Sequence, residues 1–238
     1  MADAPAPVTT TIEDGVAVLR FDDGKVNVLS YAAIAAFDAA LDQAEKDASA
    51  VCIVGREKAT SAGFDLSVMN AGIESALDLV GAGGRMLMRL YTHPQPVVIA
   101  VTGHALAAGA LLVAACDIRI GADKPSKIGL NETAIGMSLP LFAIELVRDR
   151  LNPAYLVRAT QCAEVFDPHG AVVAGWIDRV VPTETCEDEA IAEARRLGQF
   201  VNAAYAQTKR SLRQPVVDRV RAGSAADRDN FMVETPSS

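Results

Sequence analysis

The sequence predicts an α/β fold, and the evidence is clearest between Pro96 and Glu132. Val97–Val101 are small or branched apolar residues, a pattern typical of a strand buried on both faces. Ala105–Cys116 is apolar and rich in alanine without alternation, which predicts a buried helix. Ile118–Ile120 then alternates like a second strand. The small-residue turn before the helix directs backbone N–H groups outward, and such a helix N-terminus favours negative charge.

Earlier elements repeat the same kind of unit. Val8–Glu13 and Val16–Phe21 alternate on either side of Asp14-Gly15, which predicts a hairpin. Ser30 is a suitable N-cap for a helix that runs to about residue 47, and Val51–Val54 resembles a short buried strand. The unit is strand, turn, strand, helix without a fixed period. It fits a spiral of ββα turns better than a doubly wound sheet, although periodicity alone does not separate the two.

The later part of the chain is mainly helical. Ile73–His93 has a helical pattern, but Gly81–Gly84 interrupts it, and each interior glycine costs about 1 kcal/mol relative to alanine. We therefore expect a bent or mobile segment there, or a loop between two short helices. Further expected elements are a strand at 176–181 and helices at 141–150, 153–160, 168–174, 187–200 and 203–220. We predict a core of residues 1–182 and a C-terminal helical region of residues 183–238.

Composition narrows the class of protein. Half of the 238 residues are hydrophobic, and a net charge of −8 opposes nucleic-acid binding, which needs a basic surface. The four cysteines form no C-x-x-C pair, so we expect reduced thiols and no metal site. No signal peptide is visible, and the longest apolar run is shorter than the roughly 20 residues of a membrane span. The expected location is cytoplasmic, without membrane association.

Two turn-to-helix junctions are candidate sites. Taken alone, Ser61–Leu66 fits a common glycine turn followed by the capping residue Asp65. Thr102–Gly109 follows a strand and could be a degraded dinucleotide fingerprint. The acidic residue expected about 20 positions later would then be Asp123, but it falls in a Lys/Pro turn rather than at the end of a strand. Nicotinamide binding is therefore disfavoured.

Together with Gly129–Thr133, the two junctions have a spacing that resembles the crotonase family, the enoyl-CoA hydratase/isomerase superfamily. Further matching segments are Gly24–Asn27, Cys116–Arg119, Ala174–Asp178 and Val180–Pro182. The resemblance implies a crotonase/ClpP-like spiral of ββα turns with a C-terminal helical trimerisation region. It also implies an acyl-CoA thioester substrate, no cofactor beyond the coenzyme A of the substrate, and a homotrimer or a dimer of trimers.

The resemblance assigns catalytic roles residue by residue. The two amides that hold the thioester oxygen in the family fall on Phe64 and Ala108, where the second position is usually glycine. Such a pair would stabilise an enolate, and losing one donor typically costs on the order of a hundredfold in rate. The family's acid on the later turn falls on Glu132. The other residues that we expect around the substrate are Lys25, Ala62, Gly63, Asp65, Leu66, Gly109, Leu111 and Leu139.

The number of acids indicates the reaction. Hydratases of the family use two glutamates, but the position on the central helix is Leu111 here, which leaves Glu132. One carboxylate flanked by Leu130, Ile135 and Leu139 suits proton transfer between two carbons better than water addition, and burial should raise its pKa. We therefore favour isomerisation of 3-enoyl-CoA to 2-enoyl-CoA. The alternatives are a hydratase or another crotonase-type thioester reaction, a non-catalytic acyl-CoA-binding protein, or an assembly subunit.

An acidic protein that binds coenzyme A needs cations near its phosphates. Lys25, Arg56 and Lys58 follow predicted strands near the first junction, and Lys209 or Arg210 could come from a tail helix. Solvated surface charge is the alternative reading of each of them.

Overall fold

The computed structural model describes residues 6–230, with side chains up to residue 223. Eleven strands lie in this part of the chain: β1 Val8–Glu13, β2 Val16–Phe21, β3 Val28–Leu29, β4 Ala50–Val54, β5 Ala59–Ser61, β6 Gly63–Phe64, β7 Val97–Val101, β8 His104–Leu106, β9 Ile118–Ala122, β10 Ile128–Gly129 and β11 Arg179–Val181. The α-helices of the same part are α1 Tyr31–Asp47, α2 Leu66–Met69, α3 Ile73–Tyr91, α4 Ala108–Ala115, α5 Leu141–Arg150, α6 Leu156–Ala159, α7 Pro168–Ala174, α8 Cys186–Gly198 and α9 Asn202–Asn230.

The largest sheet separates two hydrophobic cores. Its strand order is β1-β2-β4-β7-β9-β11, and every pair except β1–β2 is parallel. All of β4 and β7 is buried, as the unbroken apolar runs predict. Val97 and Ile99 face the core that contains α1, α3 and α4, whereas Val98 and Ala100 face the core beneath α8. Side chains on both faces of β7 are therefore buried.

Two small parallel sheets place the candidate site. One has the order β10-β8-β5, and the other pairs β3 with β6. Each of the three candidate segments lies at the end of a short strand. Phe64 is the last residue of β6, Ala107 follows β8, and Leu130 follows β10. Because β5, β8 and β10 are parallel, the segments that follow them leave at the same edge.

Several predicted boundaries were wrong. The central helix begins at Ala108 and not at residue 105, because Ala105 pairs with β10 and donates its N–H to the Lys127 carbonyl at 2.9 Å. The strand expected from Trp176 begins at Arg179, since the Trp176 N–H is used at the end of α7. The helix expected at 153–160 divides into a 3-10 turn and α6. In these places tertiary hydrogen bonding overrides local propensity.

The expected interruption of α3 was also wrong. The helix runs without a break from Ile73 to Tyr91. A methyl group on Gly83 would lie 2.6 Å from Cζ of Phe64, and one on Gly84 would lie 2.8 Å from Cε1 of Phe142. These two glycines therefore allow aromatic rings to contact the helix backbone, and they do not mark a hinge.

The tail helix α9 is anchored by a buried ion pair network. Lys209 Nζ and Arg213 Nη2 each lie 2.7 Å from the Asp117 carboxylate, and all three side chains are less than a tenth exposed. Asp117 also accepts the Val97 N–H at 2.8 Å, so the network reaches the start of β7. Because Lys209 is committed here, the expectation that it could bind phosphate was wrong. The boundary at residue 182 and the trimeric assembly stay predictions.

Candidate active site

The first two junctions are in direct contact. Gly63 has a φ of +95°, and a methyl group there would lie 2.9 Å from Cβ of Ala107 and 3.2 Å from N of Ala108. Gly109 is pressed against the first junction in the same way, since a methyl group would lie 2.7 Å from the carbonyl carbon of Ser61. Glycine at both positions therefore lets the two backbones meet.

Two backbone N–H groups at this contact lie outside the regular ladders. Ala108 is the first residue of α4, so its N–H precedes the intrahelical bonds, and no acceptor for it occurs within residues 6–230. Asp65 donates to the Leu29 carbonyl at 3.4 Å. Donors alternate along a parallel ladder, so the N–H of Phe64 points away from β3. The two predicted donors thus come from adjoining turns.

The third segment is joined to the same turn. Ala107 donates its N–H to the Gly129 carbonyl at 3.1 Å, and Glu132 follows at the start of a 3-10 turn. Oε2 of Glu132 and Oδ1 of Asn131 are both buried, and neither has a hydrogen-bond partner among the described residues. Asn131 was not singled out from the sequence, because an Asn in a turn usually bonds to its own backbone.

Burial raises the pKa of Glu132, which agrees with the expectation from sequence. The opposing effect comes from the backbone N–H groups of Glu132 and Asn131, which favour the charged form. The aliphatic surroundings are less complete than expected: Leu130 is buried, but Ile135 is 58% exposed. The carboxyl group is therefore partly desolvated and keeps one oxygen without a donor.

A cavity of about 560 Å³ has Thr133, the residue that follows Glu132 in the chain, in its wall. Leu139, which we expected near the substrate, lies in its wall. The other residues that line it are Met137, Ser138, Ile144, Val147, Arg148, Leu156, Val157, Thr160 and Gln161. Most of the lining is apolar, which is typical of pockets for small molecules.

The remaining predicted residues occupy different environments. Asp65 caps α2 by accepting the Ser67 N–H at 2.9 Å, as expected. Ala62 is exposed and donates its N–H to the Val26 carbonyl, and Leu66 is 62% exposed. Leu111 is buried within the core of α4. Their roles toward a substrate stay predictions.

The candidate cations differ in availability. Arg56 lies 3.3 Å from the Asp22 carboxylate and donates to the Lys25 carbonyl at 3.1 Å. Lys25 and Lys58 are exposed. These two lysines therefore remain the better candidates for binding phosphate.

Ala107 is strained at the centre of this arrangement. Its φ of 53° and ψ of −130° lie in a region that glycine adopts far more readily than alanine. We expect Ala107→Gly to raise the free energy of unfolding by about 1 kcal/mol, since relief of strain exceeds the added entropy of the unfolded chain. Chemical denaturation measures this. The matched control is Ala105→Gly in β8, which should destabilise the protein, and a loss of stability in both variants would contradict the prediction.

The described residues were also compared with what a membrane-spanning helix and a metal site require. Between residues 6 and 230, no helix combines the length and hydropathy that a membrane crossing requires. In the same part of the chain, His, Cys, Asp and Glu side chains do not gather into a group of three that could hold a metal ion. The four cysteines are free, and Cys162 is the exposed one.

The chain matches known proteins over nearly its whole length. The model of the family described as enoyl-CoA hydratase/isomerase matches residues 11–237. Human mitochondrial enoyl-CoA delta isomerase 1 is 31% identical over 225 residues, which are 92% of this chain and 74% of that protein. A putative enoyl-CoA hydratase from Thermus thermophilus is 33% identical over 187 residues, which are 73% of this chain and 70% of that protein.

A solved structure agrees with both the sequence match and the fold. It is an enoyl-CoA hydratase/isomerase family protein from Pseudomonas syringae, 42% identical, with a TM-score of 0.92 over 95% of this chain and 98% of that one. The chain therefore belongs to the enoyl-CoA hydratase/isomerase family and has the crotonase fold. Relatives named as isomerases and as hydratases match at similar identity, so identity does not separate the two reactions.

Proposed function

We propose that this protein is an isomerase that moves the double bond of a 3-enoyl-CoA to the 2-position. The observation that carries the proposal is the Glu132 carboxyl group, which has one buried oxygen without a partner and stands on a turn hydrogen-bonded to the residue before Ala108. A single acid on a turn that is hydrogen-bonded to the proposed N–H donors' own turn suits removal and return of a proton next to a thioester.

The proposed reaction has two proton transfers. The Glu132 carboxylate removes a proton from C2, and the electron pair of that bond moves toward the thioester oxygen to give a dienolate. The N–H groups of Phe64 and Ala108 donate to this oxygen as its charge grows. Glu132 then returns the proton to C4, the thioester carbonyl reforms, and the double bond lies between C2 and C3. No atom is gained or lost.

Two features favour isomerisation over hydration. Leu111 occupies the helix position at which the family's hydratases carry a second glutamate, so this chain lacks an acid there to hold water. The raised pKa of Glu132 also suits a group that must both accept and return a proton. Hydration and binding without turnover remain the alternatives that the experiment must separate.

The rest of the substrate can be assigned on chemical grounds. We assign the acyl chain to the cavity that has Thr133 and Leu139 in its wall, since most of its lining is apolar. Lys25 and Lys58 are the cations that we assign to the phosphates of coenzyme A. No other cofactor enters the proposed reaction. We also propose a homotrimer or a dimer of trimers, as the family resemblance implies.

An isotope experiment tests the shuttle. We would offer 3-enoyl-CoA carrying deuterium at C2 and measure the label at C4 of the product by mass spectrometry. A single shielded carboxyl group should transfer part of the label, whereas separate acid and base groups open to water would leave C4 unlabelled. Faster hydration of 2-enoyl-CoA than isomerisation of 3-enoyl-CoA would favour a hydratase, and binding without turnover would favour a binding protein.

The rate should also depend on pH. Because the base is the ionised form of Glu132 and burial raises its pKa, we expect kcat/KM to fall with decreasing pH at a higher pH than the ordinary glutamate value of about 4.3. A steady-state pH profile measures the midpoint. A midpoint at or below the ordinary value would contradict the assignment of Glu132 as the base.

A further inference from the structure

One glycine of α3 lies directly against Phe64, the residue whose N–H is proposed to hold the thioester oxygen. Gly83 is buried, and a methyl group on it would lie 2.6 Å from Cζ and 3.4 Å from Cδ1 of the Phe64 ring. The first distance is too short for a methyl group unless the ring moves, whereas the second is an ordinary van der Waals contact. The ring therefore rests on bare helix backbone, and only glycine permits this contact.

The hydrogen bonds that the residues on either side of Phe64 donate are long. Strand β6 has two residues, and the bond from Asp65 to the Leu29 carbonyl is long at 3.4 Å. The Gly63 N–H donates to Ser61 Oγ at 3.3 Å. Because β6 is short and these two bonds are long, the docking of the Phe64 ring helps to set the direction of the Phe64 N–H.

The neighbouring glycines of α3 provide comparisons within the same helix. Gly84 is packed against the ring of Phe142, which lies in α5 and contributes no group to the proposed site. A methyl group on Gly81 would meet only the end of the Arg85 side chain, at 3.6 Å. Of these three glycines, Gly83 is the one that contacts Phe64, the proposed donor to the thioester oxygen.

We infer that Gly83 is a positioning residue for the proposed isomerisation: it lets the Phe64 ring dock on α3 and thereby fixes the Phe64 N–H toward the thioester oxygen. The inference rests on the proposed function. A side chain at residue 83 displaces the ring and the backbone attached to it. Misplacement of a catalytic group by about 1 Å can cost on the order of a hundredfold in rate.

The experiment compares Gly83→Ala with Gly84→Ala and Gly81→Ala. We expect Gly83→Ala to lower kcat for 3-enoyl-CoA at least about tenfold with KM changed less than about threefold, because the donor acts mainly on the charged intermediate. Gly84→Ala should lower the melting temperature by a similar amount but keep kcat within about twofold of wild type. Gly81→Ala should retain both the melting temperature and the kcat of the wild type.

Two further measurements separate positioning from general damage. Acetoacetyl-CoA forms an enolate that absorbs in the near ultraviolet, and its absorbance with Gly83→Ala should fall in parallel with kcat. In a Phe64→Ala background, which keeps the backbone N–H, Gly83→Ala should cause no additional loss because the ring is gone. If Gly83→Ala does not fold, Phe64→Ala alone should still lower kcat at nearly constant KM.

The outcomes distinguish this inference from the proposed function. An active wild type with Gly83→Ala as active as Gly84→Ala would overturn the role of Gly83 and leave the isomerase intact. Additive losses in the Phe64→Ala background would overturn it as well. A wild type that neither isomerises 3-enoyl-CoA nor forms the enolate would overturn the proposed function, and the inference with it.

Discussion

Replacing Glu132 with glutamine is expected to lower kcat for isomerisation by at least about a hundredfold. Glutamine keeps the size of the side chain but cannot accept the proton from C2. The proposed donors to the thioester oxygen, the N–H groups of Phe64 and Ala108, belong to the backbone and are unchanged, so affinity for the substrate should change little. Steady-state rates with 3-enoyl-CoA, together with a binding titration, measure the two effects separately.

The same substitution should stabilise the fold at neutral pH. Burial raises the pKa of Glu132 in the folded state, so ionisation costs stability as pH rises from the unfolded value of about 4.3 through the raised folded value. Glutamine removes this cost. Glu132→Gln should therefore melt at a higher temperature than wild type at pH 7, and this difference should shrink to its minimum near pH 3, where the wild-type carboxyl group is protonated in both the folded and the unfolded state.

Glu187→Gln is a matched control, because Glu187 pairs with Arg20 at the surface. It should leave isomerisation unchanged. Full isomerase activity in Glu132→Gln would remove this residue from the mechanism. Equal melting temperatures at pH 7 would show that its carboxyl group is well solvated.

Asp117→Ala should cause the largest loss of stability, about 3–5 kcal/mol. The substitution leaves the charges of Lys209 and Arg213 buried without their anion, and it removes the acceptor of the Val97 N–H. Burial already lowers the pKa of Lys209 to about 8, and Asp117 is the main group that opposes this effect. Urea denaturation measures the free energy of unfolding.

A surface pair gives the comparison for this prediction. Glu187→Ala removes the partner of Arg20, where both side chains are partly exposed, and should cost less than about 1 kcal/mol. If Asp117→Ala costs no more than Glu187→Ala, the buried network does not hold α9 in place. Limited proteolysis would then cleave both variants at similar rates, whereas we expect α9 to be cut first in Asp117→Ala.

Local sequence patterns were sufficient for several elements. The hairpin of β1 and β2, the Ser30 cap and the buried strand β7 were confirmed, because each depends on neighbouring residues. The combined spacing of three motifs indicated the crotonase fold, and the family match and the solved structure confirmed it. Gly63 contacts Ala108 because parallel strands bring the ends of distant segments together.

The errors arose where a distant partner decides the structure. Gly83 and Gly84 indicated a break by propensity, but rings from other elements occupy the space beside them. Asp117 directly follows the predicted central helix and carries no signal of a distant partner, yet it binds Lys209, which lies 92 positions later. The unpartnered oxygen of Asn131 depends on three-dimensional burial. Contacts of this kind leave no periodic signal in the sequence.

Main-chain contacts among the three turns have a consequence for engineering this enzyme. The contacts of Gly63 with Ala108 and of Gly109 with Ser61, and the hydrogen bond from Ala107 to Gly129, hold the three turns together without using any side chain of the cavity wall. Side chains of the cavity wall can accordingly be replaced without disturbing the contacts among the three turns. For the proposed isomerase, exchanges at Leu156 and Val157 should alter which acyl groups are accepted without changing the proposed proton transfer.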